Sequence, residues 1–158
     1  MSEIHLIHGF IGFGKTTLAK KLEKSLPAIR FTHDEIMLSK YGRNPNDFQI
    51  KYKLVDDFIK QQTINAIAQK QNVILDYGFW NKKSRKEIFA WSKKLTNDVF
   101  FHAIICDIEI AKSRTIKRTQ NNKNELFIDE NCFNERLKLF EPLTNNEPYP
   151  IIFHDYSS

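Results

Sequence analysis

Gly9, Gly14, Lys15 and Thr16 stand at the spacing G-x-x-x-x-G-K-[ST] inside the stretch HLIHGFIGFGKTTLAKKL. That spacing suits a cradle for phosphate oxygens. Backbone N–H groups must turn inward around the anion, and glycine permits both the backbone shape and the close approach. A helix beginning near Lys15 would aim its positive end at the same point. On this reading the segment Gly9, Phe10, Ile11, Gly12, Phe13, Gly14, Lys15, Thr16 and Thr17 wraps the phosphates of ATP. Lys15 reaches the β- and γ-phosphates, and Thr16 offers its hydroxyl to Mg²⁺. Three of the five glycines in the chain fall in this one loop. With glycine at about 7% of residues, a chance match is expected in well under roughly one such chain in a hundred.

A phosphate cradle alone does not say where the phosphate goes. Phosphoryl transfer also needs a metal, a positioned nucleophile and cations around the migrating group. Asp34, in THDE, is a candidate to orient an acceptor hydroxyl and take its proton, or else to cap a helix starting near Glu35. Asp76, in ILDYG, either holds Mg²⁺ through water, grips the acceptor, or is a turn residue before Gly78. Phe79 and Trp80 follow it, as packing or as an apolar wall of an acceptor pocket. Arg114 and Arg118 are four residues apart and share a helix face. They suggest a basic lid, about residues 112–130, closing over ATP. Lys15, Asp34 and Arg118 are thus the candidate catalytic groups. His33 reads as a surface residue or a weak substrate contact.

These residues require elements that bring them to one rim. Apolar stretches alternate with amphipathic ones along the chain. Strands are expected at Ile4–Ile7, Ala28–Phe31, Val73–Leu75, Val99–Cys106 and within PIIFHDY near the end. Helices are expected over Lys15–Ser25, Asn46–Gln71, Ile108–Thr119 and Asp129–Phe140. One more begins at the capping-box spacing of Ser84 and Glu87. Alternation of this kind implies a parallel sheet with helices on both faces. Ligands of such sheets sit beyond the carboxyl ends of the strands, which is where Gly9–Thr16, Thr32–Glu35, Asp76–Phe79 and Asp107 fall.

Composition narrows the classes. The 158 residues read as a single domain, 1–158, with 41% hydrophobic and 27% charged residues. No apolar run is long enough for a membrane span. The first residues enter a strand-like segment with no basic leader, so a cytoplasmic location is expected. Cys106 and Cys132 have no metal or redox spacing. The formal net charge of +5 suits a partner with phosphates. A GTP-binding switch is disfavoured: Phe79 stands where D-x-x-G needs glycine, and NKNE at 122–125 is only a near miss to N-K-x-D.

The stretches IHGFIGFGKTTLAKKLE, THDEIMLSKYG, VILDYGFWNKKSR, AKSRTIKRTQ and FEPLTNNEPYP together resemble small P-loop kinase-like proteins. These are often grouped as AAA-type ATPases, alongside polynucleotide kinases, zeta-type toxins and chloramphenicol phosphotransferases. The resemblance implies a three-layer α/β fold of nucleoside-monophosphate-kinase type, with a five-stranded parallel sheet in the order 2-3-1-4-5. It implies ATP and Mg²⁺ at the loop, Asp34 as the acceptor-activating aspartate, Asp76 as the acidic residue after the third strand, and Arg114 and Arg118 as lid arginines. Polynucleotide kinases place an arginine after the aspartate to grip an acceptor phosphate. Here Ile36, Met37 and Leu38 occupy that neighbourhood. The expected reaction is therefore transfer of the γ-phosphate to a hydroxyl of a small molecule. A nucleic-acid 5′-hydroxyl, or no acceptor at all, stands as the alternative.

Overall fold

A computed structural model describes residues 2–121 and 127–156. Its elements run β1 (Glu3–His8), α1 (Lys15–Ser25), β2 (Ala28–Thr32), α2 (His33–Tyr41), α3 (Phe48–Ala68), β3 (Asn72–Gly78), α4 (Lys82–Lys93), β4 (Asp98–Ile105), α5 (Ile108–Asn121), α6 (Glu130–Leu137) and β5 (Ile151–Asp155). The five strands form one sheet in the order β2-β3-β1-β4-β5, and every pairing is parallel. Parallel strands need crossovers, and the helices supply them.

The period-2 alternation of the strands sorts the core into two layers. Ile4, Leu6, Val73, Leu75 and Phe101 pack with Met37 of α2, Val55 and Ile59 of α3 and Ile88 of α4. Ile7, Ile74 and Ile104 pack with Leu18 and Ala19 of α1, Ala111 of α5 and Phe133 of α6. Val73, Ile74 and Leu75 are buried on both faces, which explains their unbroken apolar run.

Two expected starts differ from the structure. α4 begins at Lys82, not at a Ser84 cap. Asn81 is the N-cap, its side chain accepting the Ser84 N–H at 2.7 Å, while the Ser84 hydroxyl donates back to the Asn81 carbonyl at 2.9 Å. Asparagine caps as well as serine does, so the Ser84–Glu87 spacing was a decoy three residues downstream. α2 begins at His33, with Thr32 at its N-cap and no side-chain cap hydrogen bond. Asp34 therefore lies in the first helical turn and is not the cap.

One irregularity matters for the site. The β1–β3 register shifts between Ile7, opposite Asp76, and His8, opposite Gly78, so Tyr77 is an extra residue on β3. Such bulges re-aim side chains at strand ends. Asp76 and Tyr77 are thereby presented at the carboxyl rim, beside the loop that follows β1.

Candidate functional site

The loop after β1 is built from behind by aromatic packing. The Phe10 ring is fully buried and meets Trp80, Phe133 and Phe140 at centroid distances of 4.9, 5.0 and 5.2 Å. Phe13 is buried as well. The side chains of Phe10 and Phe13 thus anchor the loop, and only their main chain is left to face a ligand. Gly12 has φ +79°, and a Cβ there would stand 2.3 Å from Thr115 Oγ1 and 2.5 Å from the Ala111 carbonyl oxygen. α5 packs that closely on the loop, so no larger residue fits. Gly14 takes the left-handed N-cap position of α1, at φ 93°.

Lys15 Nζ donates to the Phe10 carbonyl at 3.2 Å, which holds the ammonium across the loop mouth. Burial lowers the Lys15 pKa, Asp76 and Asp34 oppose that, and Arg118 adds to it. Thr16 Oγ1 donates to Asp76 Oδ2 at 2.8 Å, and Thr32 Oγ1 donates to the same oxygen at 3.0 Å. Asp76 is only 3% exposed. Burial raises its pKa, while Lys15 and the two hydroxyls counter the shift. Among the described residues no group of three or more His, Cys, Asp or Glu side chains could hold a metal. The oxygen pair Thr16 and Asp76 fits Mg²⁺, which is held by one or two carboxylates together with substrate phosphates and water.

The loop opens into a cleft of about 920 Å³, near the upper end of ligand pockets, about 300–1,000 Å³. Lys15, Thr16 and Asp76 line one end. Asp34 lies at the same cleft, exposed, and among the described residues no hydrogen bond or ion pair engages it. Beyond it the wall is made by Tyr52, Asp56 and Lys60 of α3 and by Tyr77. Tyr77 donates its hydroxyl to Asp56 Oδ1 at 2.9 Å, and Lys60 Nζ stands 3.3 Å from Asp56 Oδ2. His33 is not a surface residue. It is buried, stacks on Tyr52 at 3.8 Å, and donates from Nε2 to the Tyr52 carbonyl at 3.1 Å. Burial lowers its pKa, so the ring supports Tyr52 as a neutral group.

Phe79 and Trp80 both line the cleft and both pack into the core. Gly78 and Phe79 have φ values of 104° and 47°. For Phe79 that backbone is strained by about 1–2 kcal/mol. Its carbonyl takes two donors, His8 Nδ1–H at 3.0 Å and Arg85 Nη1–H at 2.8 Å, which hold the turn in place. The fully buried Arg85 also forms a bidentate pair with Glu147, 2.8 Å for each contact.

The structure brings only one of the two lid arginines to the cleft. Arg118 lines it; Arg114 turns to Cys106 Sγ, 3.6 Å away, and lies on a separate shallow surface with Glu109, Ile110, Ser113 and Lys117. Four residues advance about 6 Å along a helix axis, enough to separate two long side chains on one face. The helix itself is docked, with Ala111, Thr115 and Thr119 buried. Lys112 pairs with Glu130 at 3.0 Å. The middle of the expected lid, 122–126, with the NKNE near miss and Lys123, lies outside the described residues.

Thr32 and Tyr77, picked out only as strand-end residues, reach the cleft, whereas sequence reasoning missed Tyr52, Asp56 and Lys60. A signal existed: Tyr52, Asp56 and Lys60 recur every four residues, a polar stripe beside the apolar face of α3.

A strand-borne phosphate loop, an all-parallel five-stranded sheet and a carboxylate-lined cleft at its carboxyl rim define a P-loop kinase fold. A family model described as an AAA domain matches residues 4–143, and the chain belongs to that family. Among solved structures it is similar to a candidate kinase from Chloroflexus aurantiacus, at TM-score 0.78 and 15% identity over 99% of this chain and 89% of that one. It is similar to Kti12 of Chaetomium thermophilum in complex with ADP-AlF3, at 0.77 and 15% over 97% and 89%. It also resembles a gluconokinase from Sinorhizobium meliloti, at 0.64 and 12% over 99% and 83%. No curated protein matches the sequence. No helix among the described residues is long and apolar enough to cross a membrane.

Proposed function

We propose that the protein is an ATP- and Mg²⁺-dependent kinase that transfers the γ-phosphate to a hydroxyl of a small molecule. The observation that carries this reading is Asp34, a carboxylate that no hydrogen bond or ion pair engages among the described residues and that shares one cleft with Lys15, Thr16 and Asp76. An exposed carboxylate at the cleft is open to the hydrogen bond from an acceptor hydroxyl that general-base catalysis requires.

The loop N–H groups of Gly9–Thr17 and the Lys15 ammonium would bind the nucleotide phosphates and neutralise charge on the β- and γ-groups. Thr16 and Asp76 would hold the metal, which supplies charge neutralisation at the phosphates. Asp34 would accept the proton of the acceptor hydroxyl as its oxygen bonds to Pγ and the bond from Pγ to the bridging oxygen breaks. ADP leaves with that electron pair. Arg118 would steady the equatorial oxygens during transfer. Tyr52, Asp56, Tyr77, Phe79 and Trp80 would form the acceptor wall, a mix of ring surface and polar groups suited to a ring-bearing alcohol. Arg114 would act at most from outside the cleft. Absence of an arginine near Ile36–Leu38 supports a small alcohol over a nucleic-acid end.

The test is a γ-phosphate transfer screen in Mg²⁺ against sugars, nucleosides, hydroxylated antibiotics and 5′-hydroxyl oligonucleotides. Transfer to one small-molecule class supports the reading. Nucleotide binding with only slow hydrolysis across the whole panel would overturn it in favour of a nucleotide-binding regulator.

A further inference from the structure

Resting on the reading of Thr16 and Asp76 as the metal-holding pair, we propose that Arg30 is a positioning residue for that pair, acting through Thr32. Thr32 has only its place at a strand end to mark it and Arg30 has no sequence signal; their link emerges from the hydrogen-bond geometry.

A threonine hydroxyl carries one hydrogen and two lone pairs, and a guanidinium can only donate. Arg30 Nη1 stands 2.5 Å from Thr32 Oγ1, so that oxygen must accept. Its single hydrogen is then committed to Asp76 Oδ2, 3.0 Å away. Thr16 Oγ1 delivers its own hydrogen to the same Oδ2 at 2.8 Å. Two consequences follow. Both threonine hydrogens converge on one carboxylate oxygen, Oδ2, and neither hydroxyl occupies Oδ1. The Thr16 lone pairs are left facing away from Asp76, available to a cation.

Arg30 is itself fixed from two sides. Its Nε meets Glu23 of α1 at 3.2 Å, and its Nη1 meets both oxygens of Glu35 of α2 at 3.1 Å. The Arg30 side chain is 15% exposed, whereas those of Glu23 and Glu35 are 40% and 50% exposed. Glu23 and Glu35 therefore keep access to water if Arg30 is removed, so neither is left as a buried unpaired charge. What is lost is the polarity of the Thr32 hydroxyl, which becomes free to turn from Asp76.

Groups that orient metal ligands typically carry a 10–100-fold effect on metal affinity or activity. The experiment is a fluorescence titration of the full chain with N-methylanthraniloyl-ATP, in Mg²⁺ and in EDTA, for the natural protein, Arg30→Met, Thr32→Val and Thr32→Ser. Arg30→Met and Thr32→Val should each cut the Mg²⁺-dependent gain in affinity about 10-fold and leave affinity in EDTA unchanged. Thr32→Ser, which restores the hydroxyl, should keep the full gain. A merely structural role would shift both conditions together. The inference is overturned if Arg30→Met or Thr32→Val keeps the natural Mg²⁺ gain, or if Thr32→Ser loses as much as Thr32→Val. Natural protein binding equally with and without Mg²⁺ would also overturn it while leaving the phosphate cradle intact. No binding by the natural protein would remove the nucleotide reading itself.

Discussion

Acidification from pH 8 to pH 5 should destabilise the protein by about 4 kcal/mol, through two of its histidines alone. His8 is buried, its Nδ1–H given to the Phe79 carbonyl and its Nε2 accepting the Leu143 N–H at 3.0 Å. Burial, with Arg85 nearby, lowers its pKa from 6.5 to about 4. His102 is buried in a chain of rings, 2.8 Å from His5 and 3.0 Å from His154. Burial, then His5 and His154, lower its pKa from 6.5 to about 3. Between these folded values and 6.5 the unfolded chain binds more protons than the folded one, so stability rises with pH. Above about 6.5 both states are neutral and the effect vanishes. At pH 5 each residue contributes a loss of about 2 kcal/mol, from about 1.4 kcal/mol per pH unit over 1.5 units. His5, His33 and His154 are shifted in the same direction and add to it. Asp76, shifted up, acts oppositely. Urea unfolding at pH 8, 6.5 and 5 measures the dependence. His102→Gln should be less stable at pH 8 yet lose about 2 kcal/mol less between pH 8 and 5. Stability flat over that range, or an unchanged dependence in His102→Gln, would refute the reasoning.

Gly12→Ala should both destabilise the fold and weaken nucleotide binding. The added carbon meets Thr115 and the Ala111 carbonyl inside 3.0 Å at positive φ, a loss of about 1–3 kcal/mol. A native-like melting temperature with native nucleotide affinity would contradict the packing of α5 on the loop. Arg85→Gln leaves the Glu147 carboxylate without its bidentate partner and frees the Phe79 carbonyl. Loss of a buried partner costs about 3–5 kcal/mol, which thermal unfolding would show. A melting temperature within a few degrees of the natural protein would be the contrary result.

Much of this molecule was legible beforehand where local rules and tertiary packing agree. α1 starts at Lys15 and ends at Ser25, as the loop before it and Pro27 after it require. The strand order was implied by resemblance and is the order observed. What was not legible depends on which neighbour a side chain meets. Asn81 and Ser84 compete for one cap with equal local merit, and only the carbonyl geometry separates them. Arg114 and Arg118 share a helix face, but the cleft ends between them. His33 looked like surface because no local signal announces that Tyr52 and Tyr77, 19 and 44 residues on, enclose its ring. The Arg30–Thr32–Asp76 link joins β2 to β3 and exists only once those strands pair.

The central claim is that Asp34 receives the acceptor's proton while the loop and Lys15 hold and neutralise the phosphates. Comparing Asp34→Asn with Lys15→Ala, for nucleotide affinity and for γ-phosphate transfer to the best acceptor of the screen, tests it most directly. Asp34→Asn should bind ATP as the natural protein does and transfer about 10²–10⁴-fold more slowly, the usual share of a general base. Lys15→Ala should lose both. Transfer by Asp34→Asn at the natural rate would contradict the account.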